Sequence, residues 1–246
     1  MILFFRKLRQ QFLAQGQVTR YLAYAIGEIV LVVIGILIAL AVNNSNEARK
    51  DRALELTFLK GFRLDLQANL QELDRVIDKS RETSMAADSL LQSCNGRIAP
   101  VAPQKFADLV MALPGYTLFL SADGSVEDLV GSGKLEVLAD SRIRTAVATW
   151  QSGLKLMRAW ESTGEKSVQD MLHYLERSVP LYALEDAGYV MDPELRGRLC
   201  QDMQFLNLVD GRVMVLEELN AQYRNKKQEV AVLLAWLDAR IGDLEP

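Results

Sequence analysis

The longest unbroken pattern in the sequence is an apolar run, IVLVVIGILIALAV from Ile29 to Val42, which reaches back to Tyr21 with Glu28 as its single charge. As a helix rising about 1.5 Å per residue, Tyr21–Val42 spans roughly 33 Å, enough to cross a hydrocarbon core of about 30 Å. Downstream the apolar residues become periodic: Leu59, Phe62, Leu66, Leu70, Leu73, Ile77, then the weaker Ser80, Ser84, Ala87 and Leu91. Steps of three and four predict one long helix from about Glu47 to Gln92. Asn43-Asn-Ser-Asn46 either caps it or marks where the apolar helix emerges, and Asn95-Gly96 with Pro100 and Pro103 ends it.

The middle of the chain is more broken. Short helices are predicted over Pro103–Leu113 and Ser125–Val130, the second stopped by Gly131-Ser-Gly133, while Tyr116–Leu120 is too short to classify. A longer helix follows over Ser141–Glu161, with Ile143, Val147, Trp150, Leu154 and Met157 on one face. Gly164 is expected to separate it from a helix over Lys166–Ser178, where Val168, Met171, Leu172 and Leu175 are apolar. Pro180 and a Glu185–Gly188 turn end that segment. Asp192-Pro193-Glu194 then reads as a helix start: an N-cap, a proline at the first position and an acid in the first turn. The last helix is expected to run to about Ile241 through Leu206, Val209, Val213, Leu216, Tyr223, Val230, Leu234 and Leu237, interrupted by Asn220 and Lys227 and bent at Gly211.

The expected fold is therefore all-α, a transmembrane helix continuing into the long helix of an extracytoplasmic antiparallel helical bundle. Residues 1–20 form a basic segment, 21–42 the span and 43–246 the outer domain. Arg6, Lys7, Arg9 and Arg20 precede the span with no acid among them, whereas Glu47, Arg49, Lys50, Asp51 and Arg52 follow it. Lysine and arginine are retained on the cytoplasmic side, which puts the N-terminus inside and the large domain in the periplasm of a bacterial inner membrane. Ile2, Leu3, Phe5, Leu8 and Phe12 oppose the basic residues on a helical wheel, as either a surface-lying amphipathic helix or a plain topogenic tail. A cleaved leader ending at Ala39-Leu-Ala41 is the competing reading, although its apolar stretch would be unusually long.

The segments Arg52–Cys94 and Cys200–Ile241 have nearly equal lengths. Paired antiparallel, they would bring Cys94 and Cys200 together at the membrane-distal end, roughly 60 Å along the helix. An extracytoplasmic location makes the pair a candidate disulfide, worth about 3–5 kcal/mol for so long a loop. Two buried free thiols are the alternative.

Composition narrows the chemistry rather than the fold. With 50% hydrophobic and 24% charged residues, a net charge of −4 and a pI of 5.2, the chain is globular and carries no basic surface excess of the kind nucleic acid requires. The single histidine, His173, reads as an ordinary core or surface residue, so no histidine-based metal site or histidine-assisted nucleophile can be assembled elsewhere. Gly131-Ser-Gly133-Lys134 lacks the spacing of a phosphate loop. No catalytic residue, metal site or cofactor is expected, and the chain is not expected to be an enzyme.

One residue breaks a physical rule. A carboxylate within a span costs a few kcal/mol or more unless it is neutral, paired or close enough to the headgroups to reach water, and Glu28 is that residue. Ala23, Gly27, Gly35 and Ala39 recur at multiples of four beside it, the pattern that lets membrane helices pack closely. Two readings stand: Glu28 is interfacial, or this face docks a second copy or a partner membrane protein and Glu28 acts within that assembly.

With those residues in view, YLAYAIGEIVLVVIGILIALAVNNSNEARKDR resembles the opening of an uncharacterised family of bacterial membrane proteins abundant in Bacteroidetes, and ADGSVEDLVGSGKLEVLADSRIRTAVATW resembles that family's middle region. Here Ser45 stands where a tryptophan is usual. The resemblance implies no activity, but it implies that Gly27-Glu28 is a family feature. Three functions follow as expectations. The first is a membrane-anchored scaffold or accessory subunit of an envelope complex, the second a ligand-sensing bundle, and the third an ion- or proton-coupled subunit using Glu28. The partners expected are the lipid bilayer and either further copies of the chain or a membrane protein.

Overall fold

The structure is a computed structural model describing residues 18–184 and 189–245, with side chains from 22 onward. The basic N-terminal stretch through residue 17 and the expected turn at 185–188 lie outside the described residues. Seven α-helices and one 3₁₀ turn are present, with no strand among the described residues: α1 (Val18–Cys94), α2 (Pro103–Ala112), α3 (Gly124–Gly131), the turn Leu135–Val137, α4 (Ser141–Ser178), α5 (Leu181–Leu184), α6 (Pro193–Gln201) and α7 (Met203–Leu244). The chain divides into two compact units, Met1–Leu54 and Glu55–Pro246.

The first unit is helix alone. From Leu22 to Leu54 no side chain is buried, and Leu22, Ile26, Ile29, Leu31, Ile34 and Leu37 all stand open. Long and apolar enough to cross a bilayer, this stretch is a candidate membrane span. The asparagines after it start no new helix. Asn43 donates to Glu47 at 3.2 Å and Arg49 to Asn46 at 3.4 Å, bonds along the helix surface that leave the backbone ladder intact.

In the second unit α1, α4 and α7 pack together. On α1 a buried seam runs Glu55, Leu59, Phe62, Leu66, Asn69, Leu73, Val76, Ser80, Thr83, Ala87 and Leu90 in alternating steps of four and three, with Phe58 and Ser93 buried beside it. The seam read from apolar residues alone slips by one position at Leu70, Ile77, Ser84 and Leu91, because the true seam carries Asn69 and Thr83 in place of hydrocarbon. On α7 the same correction applies. Its buried line runs Phe205, Val209, Arg212, Leu216, Leu219, Tyr223, Lys226, Val230, Leu233 and Leu237, so that Arg212 and Lys226 occupy seam positions and Leu206, Val213 and Leu234 flank them. These two helices are antiparallel. Lys60 pairs with Glu245 at 2.7 Å, Arg63 with Asp238 at 3.1 Å, Asp74 with Lys227, and Cys94 with Cys200.

The ends of the helices follow local chemistry. α1 stops where Gly96 takes φ +69°, with the Arg97 N–H returning to the Gln92 carbonyl at 3.0 Å. Asp192 caps α6, accepting the Glu194 N–H at 3.2 Å. The last helical segment, however, breaks at Asp202 and not at Gly211. The Asp202 carboxylate accepts the Gln204 N–H at 2.8 Å, so it ends α6 and caps α7 at once, as a short acidic side chain competing with the ladder can.

Gly164 also departs from expectation, since α4 runs through it unbroken. A lone glycine weakens a helix by only about 1 kcal/mol, and here it makes room. A Cβ would sit 3.1 Å from Leu219 Cδ1 and 3.2 Å from Tyr116 Cε2. At Gly211 an added Cβ would meet nothing within 4 Å. The two glycines should therefore answer Ala substitution with opposite signs. Gly211→Ala is expected to stabilise by about 0.5–1 kcal/mol, and Gly164→Ala to destabilise by about 1–2 kcal/mol through overpacking. Thermal unfolding of both variants checks this, and stabilisation by both would contradict the close packing at Gly164.

Candidate functional site

Between α2 and α3 the chain runs without regular structure from Leu113 to Asp123. Lacking a neighbouring strand, its backbone groups must find side chains. Helix α1 supplies one set from a single face. Asp65 accepts the Ser125 N–H at 2.9 Å, and Asn69 holds Ala122 at both ends, accepting its N–H at 2.7 Å and donating to its carbonyl at 2.8 Å. Glu72 accepts the Leu120 N–H at 3.4 Å, while Arg75 donates to the Leu118 carbonyl at 3.2 Å. The Arg75 guanidinium also holds the Glu72 carboxyl below its ordinary range.

The opposite set comes from α4 and α7. Glu161, buried, accepts the Phe119 N–H at 2.8 Å and the Tyr223 hydroxyl at 2.9 Å, and the Tyr116 hydroxyl donates to the Glu161 carbonyl at 2.6 Å. Arg212 is fully buried. Its guanidinium donates to the carbonyls of Leu113 at 3.2 Å, Gly115 at 2.6 Å and Gly164 at 3.4 Å, with no carboxylate among these partners. At Gly115 the segment lies so close to α1 that a Cβ would stand 2.4 Å from Thr83 Oγ1. Burial, followed by the nearby Glu161 charge, pushes the Tyr116 hydroxyl up to about 12 and raises Tyr223 further still. Burial pulls Arg212 down to about 10. This network positions backbone, and its polar groups are occupied in doing so.

A different arrangement lies between α4 and α7, which run antiparallel. The Tyr174 and Phe205 rings stack 5.5 Å apart at one end, and the Arg142 guanidinium lies 5.1 Å from the Trp236 ring at the other. Beside Trp236 the two helices flank an open cleft of about 540 Å³. Trp150 forms part of its wall, packed edge-on against Phe62 of α1 with ring centres 6.0 Å apart, and its buried indole N–H has no acceptor among the described residues. The Lys226 ammonium lies 5.5 Å from the Trp150 ring centre and bonds Glu229 at 2.5 Å. Gly153 admits it, since a Cβ there would lie 3.2 Å from Nζ.

Of the residues singled out in the sequence, Glu28 and the stripe Ala23, Gly27, Gly35 and Ala39 lie in the first unit, all exposed, and a Cβ at Gly27 or Gly35 would meet no atom within 4 Å. Cys94 and Cys200 are bonded, with Cα atoms 4.9 Å apart across 106 residues of sequence. His173 is exposed. Gly131-Ser-Gly133 is a helix-ending turn, Gly133 at φ +69°. Sequence reasoning missed the cleft and the Arg212 network. The available signal was phase: Lys226 and Arg212 fall on the heptad positions of α7, where a charge without a dedicated partner is costly. Among the described residues no cluster of three or more His, Cys, Asp or Glu could hold a metal ion.

Residues 28–156 match a described family, the family of unknown function DUF6090, which covers α1 from Glu28, the pinned segment and the first part of α4. No curated protein and no solved structure matches the chain.

The tyrosines set an alkaline limit. An unfolded tyrosine loses its proton near 10, while folded Tyr116 and Tyr174 hold theirs to about 12 and Tyr223 holds its own beyond the ordinary range. The folded state then binds more protons than the unfolded, so stability is intact below pH 10 and falls as pH rises from about 10 to 12. Arg212, whose pKa is lowered, acts in the opposite direction, one group against three. Chemical denaturation at stepped pH should show the fall, and Tyr116→Phe should make it shallower. Stability rising across that window would show that Arg212 dominates.

Proposed function

The chain belongs to the DUF6090 family of unknown function, and from that premise we propose that it is a single-pass membrane-anchored accessory protein whose helical domain engages an envelope partner outside the cytoplasm. The observation that carries this reading is α1. Its first part leaves a bilayer's length of large apolar side chains uncovered, and its later part lies in the core of the helical unit. So much exposed hydrocarbon is tolerable only in lipid or against other helices.

Orientation in a bacterial inner membrane with the N-terminus inside is supported by the basic residues Arg6, Lys7, Arg9 and Arg20. The pairing of Cys94 with Cys200 supports it independently, because disulfides persist in oxidising compartments. Open space over Gly27 and Gly35 supports close approach of a second transmembrane helix, with Glu28 beside that face. A second reading, a ligand-sensing bundle, is favoured by one specific observation, the cleft between α4 and α7.

Protein taken from native membranes with free thiols blocked should yield a Cys94–Cys200 linked peptide in mass spectrometry without reduction. Two blocked thiols would place the domain on the reducing side. In lipid nanodiscs, native mass spectrometry should show an oligomer that Gly35→Leu weakens about tenfold or more. A monomer indifferent to that change would remove the packing role of the stripe.

A further inference from the structure

We infer that the cleft between α4 and α7 binds a small organic acid, an apolar body carrying one carboxylate that the Lys226 ammonium receives. The inference rests on the ligand-sensing reading and names the ligand's class. Size comes first. The cleft holds about 540 Å³, within the range of roughly 300–1,000 Å³ typical of small-molecule sites. A helix is about 10 Å across, and two turns of one would more than fill the space.

Charge comes second. Lys226 is 6% exposed at a seam position, where hydrocarbon would pack at no cost. Its ammonium has three N–H groups, and Glu229 is the only acceptor it meets among the described residues. Glu229 stands on the rim with its side chain 65% exposed, against 8% for the lysine. An acid so open to water gives up its cation at little cost when another carboxylate arrives. The Trp150 face lies 5.5 Å from Nζ and steadies the charge.

The remaining surface suits the apolar body. Leu233 and Trp236 line the cleft from α7, and the Arg142 guanidinium covers Trp236 at 5.1 Å while it pairs with Asp140 at 2.7 Å. Gly153 completes the device: it holds open the place where the ammonium sits, 3.2 Å from where a Cβ would lie.

The test uses the full chain in nanodiscs and equilibrium dialysis of 2-naphthoate against its neutral counterpart 2-naphthamide, with empty nanodiscs as background. The naphthoate should be held at least about tenfold more tightly than the amide, the factor one well-placed charged bond supplies. Lys226→Met, which keeps the stem and removes the ammonium, should erase that preference and leave amide binding unchanged. Glu229→Gln removes the competing acid and should tighten naphthoate several-fold, an effect a purely structural lysine would not give. Equal retention of acid and amide by the native chain would overturn the carboxylate assignment while leaving a ligand pocket. Retention of neither would overturn both that assignment and the ligand-sensing reading.

Discussion

A non-helical segment threaded between helices must have every buried N–H and C=O answered by something other than a strand, and this requirement organises the larger unit. Leu113–Asp123 is held from one side by Asn69, Glu72 and Arg75, with Asp65 fixing Ser125 just beyond it, and from the other by Glu161, Arg212 and Tyr223. An unanswered polar group of this kind costs about 1–3 kcal/mol, so several together rival the whole stability of a domain. The segment therefore sets the register of α1, α4 and α7 against one another. It also explains why the guanidinium of Arg212 is retained at full burial: it answers the Leu113 and Gly115 carbonyls of the segment and ties them to Gly164 of α4.

The same requirement decides what was legible in the sequence. Helix identity was, since apolar residues every three or four positions announce α1, α4 and α7, and the stops at Gly96, Gly131–Gly133 and Pro180 fall where expected. Seam phase was not. The residues that carry it are Asn69, Arg212 and Lys226, each polar and each skipped in favour of an adjacent apolar or more exposed residue. Asn69 and Arg212 bond backbone groups far along the chain, and Lys226 lies over the Trp150 ring of α4, contacts that no pattern within a helix reveals. Gly164 and Asp202 misled for a related reason. A glycine that breaks a helix and one that admits a neighbour look alike in sequence, as do an aspartate on a surface and one that caps.

The candidate sites differ in how far local sequence could reach them. The small-residue stripe and Glu28 are features of one helix, visible from spacing alone. The cleft is made by two helices distant in sequence, and the matched family region, residues 28–156, includes its α4 wall but not its α7 wall. Lys226 and Glu229 gain their meaning only when α7 is laid along Trp150 and Gly153.

The bond between Cys94 and Cys200 has a mechanical consequence. Tension applied between the two ends of the chain passes along α1 to Cys94, crosses the sulfurs, and leaves through α7. Everything from Asn95 to Leu199 is bypassed. Force would peel α7 from α1 and α4, yet the covalent path of the load passes through no helix between Asn95 and Leu199, and a single cut anywhere in that loop would open the chain without separating its halves.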